Sequence, residues 1–313
     1  MNKLNLILCM TPVAMLQCAG HPRSEGNNSK KEDTRPNILF LLTDDQNFQT
    51  ISALGNRFID TPNMDRLVNA GTTFTQAHVM GGMNGAISQP SRAMLLTGRG
   101  LMDVHRNGSV IPPDEKTFPE VFREAGYTTF GTGKWHSDKA SFNRSFTTGD
   151  NIFFGGMHDP GKHDELGHVR PLLHDYDPSG KYDNGERVKA SEHTFSSELY
   201  ANAAIEFINS QKKGTPFLAY VAFTSPHDPR NIHPDYGKEY SAAEVPLPEN
   251  FLTEHPFNTG DLDVRDEMLL PTPRDPQDVR KERAFYYSMV NEVDVQIGRI
   301  LDALEKNGMD KNT

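Results

Sequence analysis

Two uninterrupted apolar runs, residues 37–43 (NILFLLT) and 216–223 (PFLAYVAF), each stop at a polar cluster. Continuous apolar runs of this length predict strands buried on both faces, at the centre of a helix-covered sheet. Elsewhere the apolar period lengthens from two to about 3.6. Thr61 and Pro62, followed by Met64, Leu67 and Val68, predict a capped helix with proline at its first position, closing at Gly71. Residues 91–97 predict a second short helix stopped by Gly98. Residues 118–124 predict a third, ending at Gly126, and residues 127–132 return to a strand. Residues 195–208 form a strong amphipathic helical pattern. A longer one covers 279–308, with Tyr287, Val290, Val293, Ile297, Ile300, Leu301 and Leu304 at three- and four-residue steps and Gly308 as its cap. Strands alternating with helices predict an α/β fold, a mostly parallel or mixed central sheet flanked by helices. No internal repeat or low-complexity tract interrupts it.

Length and charge narrow the functions available. At 313 residues the chain is long enough for one large α/β core. Its 42 acidic against 32 basic residues give a net charge of −10, which argues against a nucleic-acid partner or an anionic membrane surface. An anionic substrate remains compatible, because a local cluster of Lys, Arg and His inverts the potential inside a cleft. Residues 1–22 read as an export signal: Lys3 supplies the positive start, and the apolar run 4–16 is too short for a comfortable membrane span. Both cysteines, Cys9 and Cys18, fall in that segment, so the remainder has neither a disulfide framework nor a cysteine nucleophile. Cys18, in the string MLQCAG, is a candidate lipid-attachment cysteine, which makes an exported periplasmic or outer-membrane lipoprotein of a bacterium the expected location. Residues 23–34 read as a flexible tether and 35–313 as the catalytic domain.

Candidate chemistry lies where the predicted strands end. Asp44-Asp45 follows the first strand, Lys134-Trp135-His136 the strand at 127–132, and His227-Asp228 the strand at 216–223. Reactive groups of parallel sheets gather beyond the carboxyl ends of the strands, so three distant segments obeying that rule point to one site. Two adjacent carboxylates suit a hard divalent cation, or simply an acidic turn in solvent. Ser88 and Ser91 stand at a helix start, where unsatisfied N–H groups favour an anion; either serine is also an ordinary helix cap. Lys134 and His136, two apart, project to one side if the chain stays extended, offering a positive charge and proton transfer. His227 sits in a stiff, proline-flanked loop, and each histidine alone is equally a hydrogen-bonded loop residue. Residues 158–174 hold four histidines among acids. Their spacing fits no familiar zinc pattern, so an irregular loop at the cleft mouth, contributing to substrate choice, is the preferred reading.

Taken together, these segments resemble the sulfatase family of the alkaline phosphatase superfamily. Arg35-Pro36-Asn37-Ile38-Leu39-Phe40 through Asp44-Asp45-Gln46 is similar to the family's opening strand with its metal-binding aspartates. Thr61-Pro62-Asn63-Met64-Asp65-Arg66-Leu67, then Gly71 and Phe74, resembles the helix and turn that follow. Ser88-Gln89-Pro90-Ser91-Arg92-Ala93 and Leu96-Thr97-Gly98-Arg99 match the sulfatase signature, and Gly133-Lys134-Trp135-His136 and Ser225-Pro226-His227 match two later catalytic loops.

The resemblance implies an alkaline-phosphatase-like sandwich and a modified nucleophile. The first signature residue, here Ser88, is oxidised to formylglycine in such proteins, which implies a serine-type sulfatase and a radical maturase as partner. It further implies that Asp44, Asp45 and residue 88 hold a calcium ion, with magnesium as the alternative. Arg92 would stabilise the hydrated residue and Lys134 would pair with sulfate. His136 would take a proton during sulfate release, and His227 would bind sulfate and help protonate the leaving alcohol. A further strand carrying more metal ligands and another lysine is expected just where the chain stops, so a domain incomplete at its C-terminus is expected. The expected substrate is a sulfated small molecule or glycan, with sulfated carbohydrate leading. A phosphonate or phosphodiester hydrolase of the same superfamily is the first alternative. A non-catalytic protein that only binds sulfated glycan is the second, and the intact set Ser88, Arg92, Lys134, His136 and His227 argues against it.

Overall fold

The computed structural model describes residues 34–83, 87–157, 167–169, 171–188, 194–260 and 262–313. The export signal, Cys18, nearly all of the tether and most of the histidine-bearing stretch at 158–174 lie outside the described residues. Among the described residues six strands and six α-helices follow one another: β1 (Ile38–Leu42), α1 (Pro62–Ala70), α2 (Ser88–Thr97), α3 (Phe118–Glu124), β2 (Thr128–Lys134), α4 (Lys139–Ser145), β3 (Thr148–Phe153), β4 (Leu172–Leu173), β5 (Arg187–Val188), α5 (Ser196–Ser210), β6 (Phe217–Ala222) and α6 (Pro276–Lys306). The main sheet has the order β1-β6-β2-β3 and is parallel throughout, while β4 and β5 form a separate antiparallel pair.

The apolar runs are continuous because both faces of the sheet are covered. Leu39 and Leu41 of β1 and Phe217, Ala219 and Val221 of β6 pack into one core with α5 and α6. The alternate residues Ile38, Phe40 and Leu42, with Leu218, Tyr220 and Ala222, pack into the other, against Phe118, Trp135, Phe142 and Phe146. Successive side chains of a strand point to opposite faces, so each run divides cleanly between two cores. Gly133 permits the close pairing of β2 with β6. Its φ is +85°, and a Cβ there would lie 1.9 Å from the Ala222 carbonyl oxygen, so no larger residue fits. Trp135 is fully buried, its ring 5.3 to 5.9 Å from those of Phe142, Phe146 and Tyr220, and its Nε1 donates to Ser141 Oγ at 3.0 Å. This anchor fixes the backbone that carries Lys134 and His136.

Helix boundaries differ from expectation in instructive places. α2 begins at Ser88, three residues before the expected start at 91. Thr61 precedes α1, but its side chain does not cap the helix. Asp294 of α6 does so instead, accepting from the Asn63 and Met64 backbone N–H groups at 3.1 and 2.7 Å. α6 ends as expected at Gly308, where Gly308 N–H donates to Glu305 O and Met309 N–H to Leu304 O, both at 2.9 Å. These are the two bonds of a Schellman closure, with the glycine at φ +62°.

Glu292 of α6 is a buried acid whose burial pushes its pKa from 4.5 up to about 7. Ser197 Oγ donates to both its oxygens, at 2.7 and 2.6 Å, and Gln296 Nε2 donates at 3.0 Å. Below the unfolded value both states hold the proton. Between the two values only the folded state holds it, so stability falls as pH rises through that window. Glu292→Gln, which cannot ionise, is therefore expected to match the parent at pH 4 and exceed it by ~3 kcal/mol at most near pH 8. Denaturant unfolding at the two pH values reads the difference, and an equal difference at both would remove the explanation.

Candidate active site

Segments far apart in sequence meet beyond the carboxyl ends of β1, β2 and β6. β1 leads into Asp44 and Asp45, α2 carries Ser88 and Arg92, β2 ends at Lys134 just before His136, and the loop after β6 carries His227. Ser88 is the first residue of α2. Ile87 takes the cap position and makes no side-chain cap, so neither Ser88 nor Ser91 caps the helix. Ser88 Oγ instead lies 3.1 Å from His136 Nδ1 and 3.5 Å from Lys134 Nζ. The free N–H groups at the start of α2 add a partial positive charge beside it.

Beneath Ser88 lies a buried ionic trio. Lys134 Nζ donates to Asp44 Oδ2 at 2.5 Å, Arg92 Nη2 donates to Asp44 Oδ1 at 3.1 Å, and Arg92 Nη1 donates to the Lys134 carbonyl at 2.8 Å. All three side chains are at most 4% exposed. Burial alone would raise the pKa of Asp44, but Arg92, Lys134 and His227 outweigh it and hold the carboxyl below its usual value. Two cations against one carboxylate leave a positive excess next to Ser88, as an anionic group requires.

His136 does not stay on an extended chain, as the sequence spacing assumed. Its φ is +59°, and this turn brings the imidazole back to Ser88. Burial lowers its pKa to about 3, with Lys134 and Arg92 adding to the effect, so the ring is neutral at neutral pH and can accept a proton. His227 stands with Asp45 on the flank, its Nε2 3.4 Å from Asp45 Oδ2, and its Nδ1 donates to the Asp228 carbonyl at 2.7 Å. Burial lowers its pKa, opposed by Asp44 and Asp45. The structure therefore brings Asp44, Ser88, Arg92, Lys134 and His136 into one contact network and pairs Asp45 with His227 beside it.

Asp44 and Asp45 are the carboxylates this site could offer a metal. Both oxygens of Asp44 are already engaged by Lys134 and Arg92. Calcium takes six to eight oxygen ligands, and no group of three or more acidic, His or Cys side chains suited to a metal forms among the described residues. The described residues thus supply only part of a calcium shell.

Two supporting residues are invisible to local sequence pattern. Tyr286 of α6 donates its hydroxyl to the Asp45 carbonyl at 2.7 Å and accepts from the Asn47 backbone N–H at 2.7 Å, fixing the turn at Asp45, whose φ is +60°. His168 is fully buried behind the His227 loop, with its Nε2 2.7 Å from the His227 carbonyl and its Nδ1 3.1 Å from Ser196 Oγ. Burial lowers its pKa to about 4, so it is neutral and donates through Nε2 to that carbonyl. Its place in a histidine-bearing stretch was a signal, but His168 supports the site from behind instead of facing a substrate. His174 lies apart, 3.7 Å from Glu186, so the two described histidines of that stretch form no zinc cluster.

A sequence model for the family described as Sulfatase matches residues 36–313. An N-acetylglucosamine-6-O-sulfatase from Bacteroides thetaiotaomicron is 28% identical over an alignment 380 positions long, which covers 100% of this chain and 61% of that protein. The chain thus spans less than two thirds of that relative's length. The fold is shared with a solved structure bound to its substrate, D-glucosamine-2-N,6-O-disulfate (TM-score 0.60, 24% identity, 89% of this chain and 64% of that one). It is shared equally with the phosphonate monoester hydrolase of Agrobacterium radiobacter (TM-score 0.59, 22% identity, 89% and 61%). With its matched span running from the first strand to the last residue, the chain belongs to the sulfatase family.

Proposed function

We propose that this chain carries the nucleophile-bearing part of a sulfuric ester hydrolase that cleaves a sulfate ester of a carbohydrate. The observation that carries the reading is the setting of Ser88: the start of α2, a neutral histidine at 3.1 Å and a lysine at 3.5 Å, above a cation-rich trio. The reaction breaks the ester S–O bond, passes the sulfuryl group to an oxygen at residue 88, and releases an alcohol. Oxidation of Ser88 to formylglycine by a serine-type maturase supplies a hydrated aldehyde with two hydroxyls, one to attack sulfur and one whose deprotonation expels sulfate.

The other roles follow from position and charge. Lys134 pairs with the sulfate oxygens, Arg92 stabilises the hydrated residue 88 electrostatically, and Asp44 holds both cations in place without cancelling them. His136 accepts a proton from residue 88 through Nδ1. His227, on the flank, binds the sulfate group and protonates the departing alcohol. Asp45 and Asp44 are this chain's contribution to a calcium or magnesium site, where a bound metal would act as a Lewis acid toward sulfate oxygens. The sugar is supported by the names of the relatives: one is an N-acetylglucosamine-6-O-sulfatase, and one solved structure holds a glucosamine disulfate.

Kinetics with protein co-produced with a serine-type maturase test the proposal. N-acetylglucosamine 6-sulfate or 4-nitrophenyl sulfate is expected to exceed an aryl phosphonate monoester in kcat/KM by about two decades, or ~2.7 kcal/mol. The opposite order would favour a phosphonate hydrolase, whose fold this chain shares equally.

A further inference from the structure

A cavity of about 700 Å³ is lined by residues that stand next in the chain to Gly156 and His227, and none of the roles above uses it. One wall is Met157, which follows Gly156, where a Cβ would lie 2.9 Å from His136 Nε2. Asp228 also lines it, and its Oδ1 lies 3.3 Å from His227 Nδ1. The cavity therefore borders the His227 side of the site, the flank assigned above to the leaving alcohol. Arg265 closes it on one side, its guanidinium paired with Asp228. Arg230, Glu282 and Phe285 complete the lining that matters here.

The chemistry of those three side chains is specific. Arg230 is 24% exposed, sits over the Tyr286 ring at 5.0 Å, and spends one donor on the Pro226 carbonyl. Its Nε is 4.0 Å from Glu282 Oε2, too far for a hydrogen bond, so among the described residues other donors of its five remain for a ligand. Glu282 accepts but cannot donate when ionised, and it would repel a ligand that brings only carboxylate or sulfate oxygens. A ligand suited to both residues must accept from the guanidinium and donate to the carboxylate, as neighbouring hydroxyls do. Phe285, 41% exposed on α6, offers an apolar face for C–H groups. A ring with hydroxyls on its rim and C–H groups on its face satisfies all three.

We infer that this cavity is a pyranose subsite for the alcohol half of the ester, with Arg230 and Glu282 reading ring hydroxyls and Phe285 packing on the ring face. The inference rests on the sulfatase reading and deepens it: sulfate is held by the trio beneath Ser88, and the sugar is read by residues of the His227 loop and α6. The subsite sets which ester binds and leaves sulfate recognition untouched.

Calorimetric titration of the full chain with N-acetylglucosamine 6-sulfate and with 4-nitrophenyl sulfate tests this. Arg230→Ala and Phe285→Ala are each expected to weaken the sugar ester by about tenfold and the aryl ester by less than about twofold. Phe285 is half exposed and outside the Arg230–Pro226 contact, so its variant remains informative if Arg230→Ala disturbs the loop. Equal weakening of both esters, or no change in either, would overturn the subsite. Parent protein that binds the aryl ester but not the sugar ester overturns the subsite alone. Parent protein that binds neither removes the sulfatase reading, and the subsite with it.

Discussion

Ser88→Ala, made alongside a serine-type maturase, is expected to lose about four to six decades of sulfate-ester hydrolysis while staying folded, with only a small shift of its unfolding midpoint. The size follows from chemistry: alanine has no oxygen to receive the sulfuryl group, and removing a nucleophile that acts as a unit with its base leaves only the binding contribution. The small stability cost follows from structure. Ser88 is half-buried, caps nothing, and among the described residues its hydrogen-bond contacts are those to His136 and Lys134, so truncation costs about 1 kcal/mol. Turnover assays paired with denaturant melts separate the two. Hydrolysis of the sugar sulfate within tenfold of the parent would remove Ser88 as the reacting residue.

Asp44→Asn is expected to damage both activity and stability, for one reason. The amide is nearly the size of the carboxylate but carries no charge, and it leaves the Lys134 and Arg92 cations buried without a counter-ion. Breaking a buried ion group from one side costs about 3–5 kcal/mol, a large share of a typical folding free energy. A second change, Lys134→Met, removes one of the stranded charges and is expected to return part of that stability to the Asp44→Asn protein while activity stays lost. This coupling distinguishes a charged trio from three independent contacts. If Asp44→Asn unfolds within 1 kcal/mol of the parent and the double variant shows no coupling, the trio is solvated and the packing described here is wrong.

The parts of the fold legible in the sequence were those fixed by local pattern. The runs at 37–43 and 216–223 marked two strands by their unbroken apolar character, but only one is central: β6 lies inside the sheet and is buried on both faces, whereas β1 stands at its edge among the described residues and is half-buried along its length. Gly308 marked the end of α6 because a left-handed closure there favours glycine. The start of α2 was set three residues late, after Pro90 instead of before it. Pro90 sits at the third helical position, which is tolerated because the first N–H groups of a helix have no internal partner. The cap of α1 was misassigned to Thr61 because the true acceptor, Asp294, is 231 residues away.

The candidate site was legible as motifs and not as geometry. Strand ends pointed to Asp44, Lys134 and His227, but the extended spacing proposed for Lys134 and His136 gave way to a turn at His136. That both side chains still reach Ser88 depends on the left-handed backbone at 136 and on the Trp135 anchor, which alternation cannot encode. Tyr286, His168 and Arg230 act across long separations, and nothing in their own neighbourhoods distinguishes them from surface tyrosine, loop histidine and exposed arginine. Their roles appear only once α6 and the His227 loop are packed against each other.

Mass spectrometry of the proteolytic peptide that contains Ser88, from protein made with a serine-type maturase, tests the central claim most directly. The account predicts a peptide lighter by two hydrogens, the signature of serine oxidised to the aldehyde. An unmodified Ser88, in cells that demonstrably mature a control serine-type sulfatase, would contradict it.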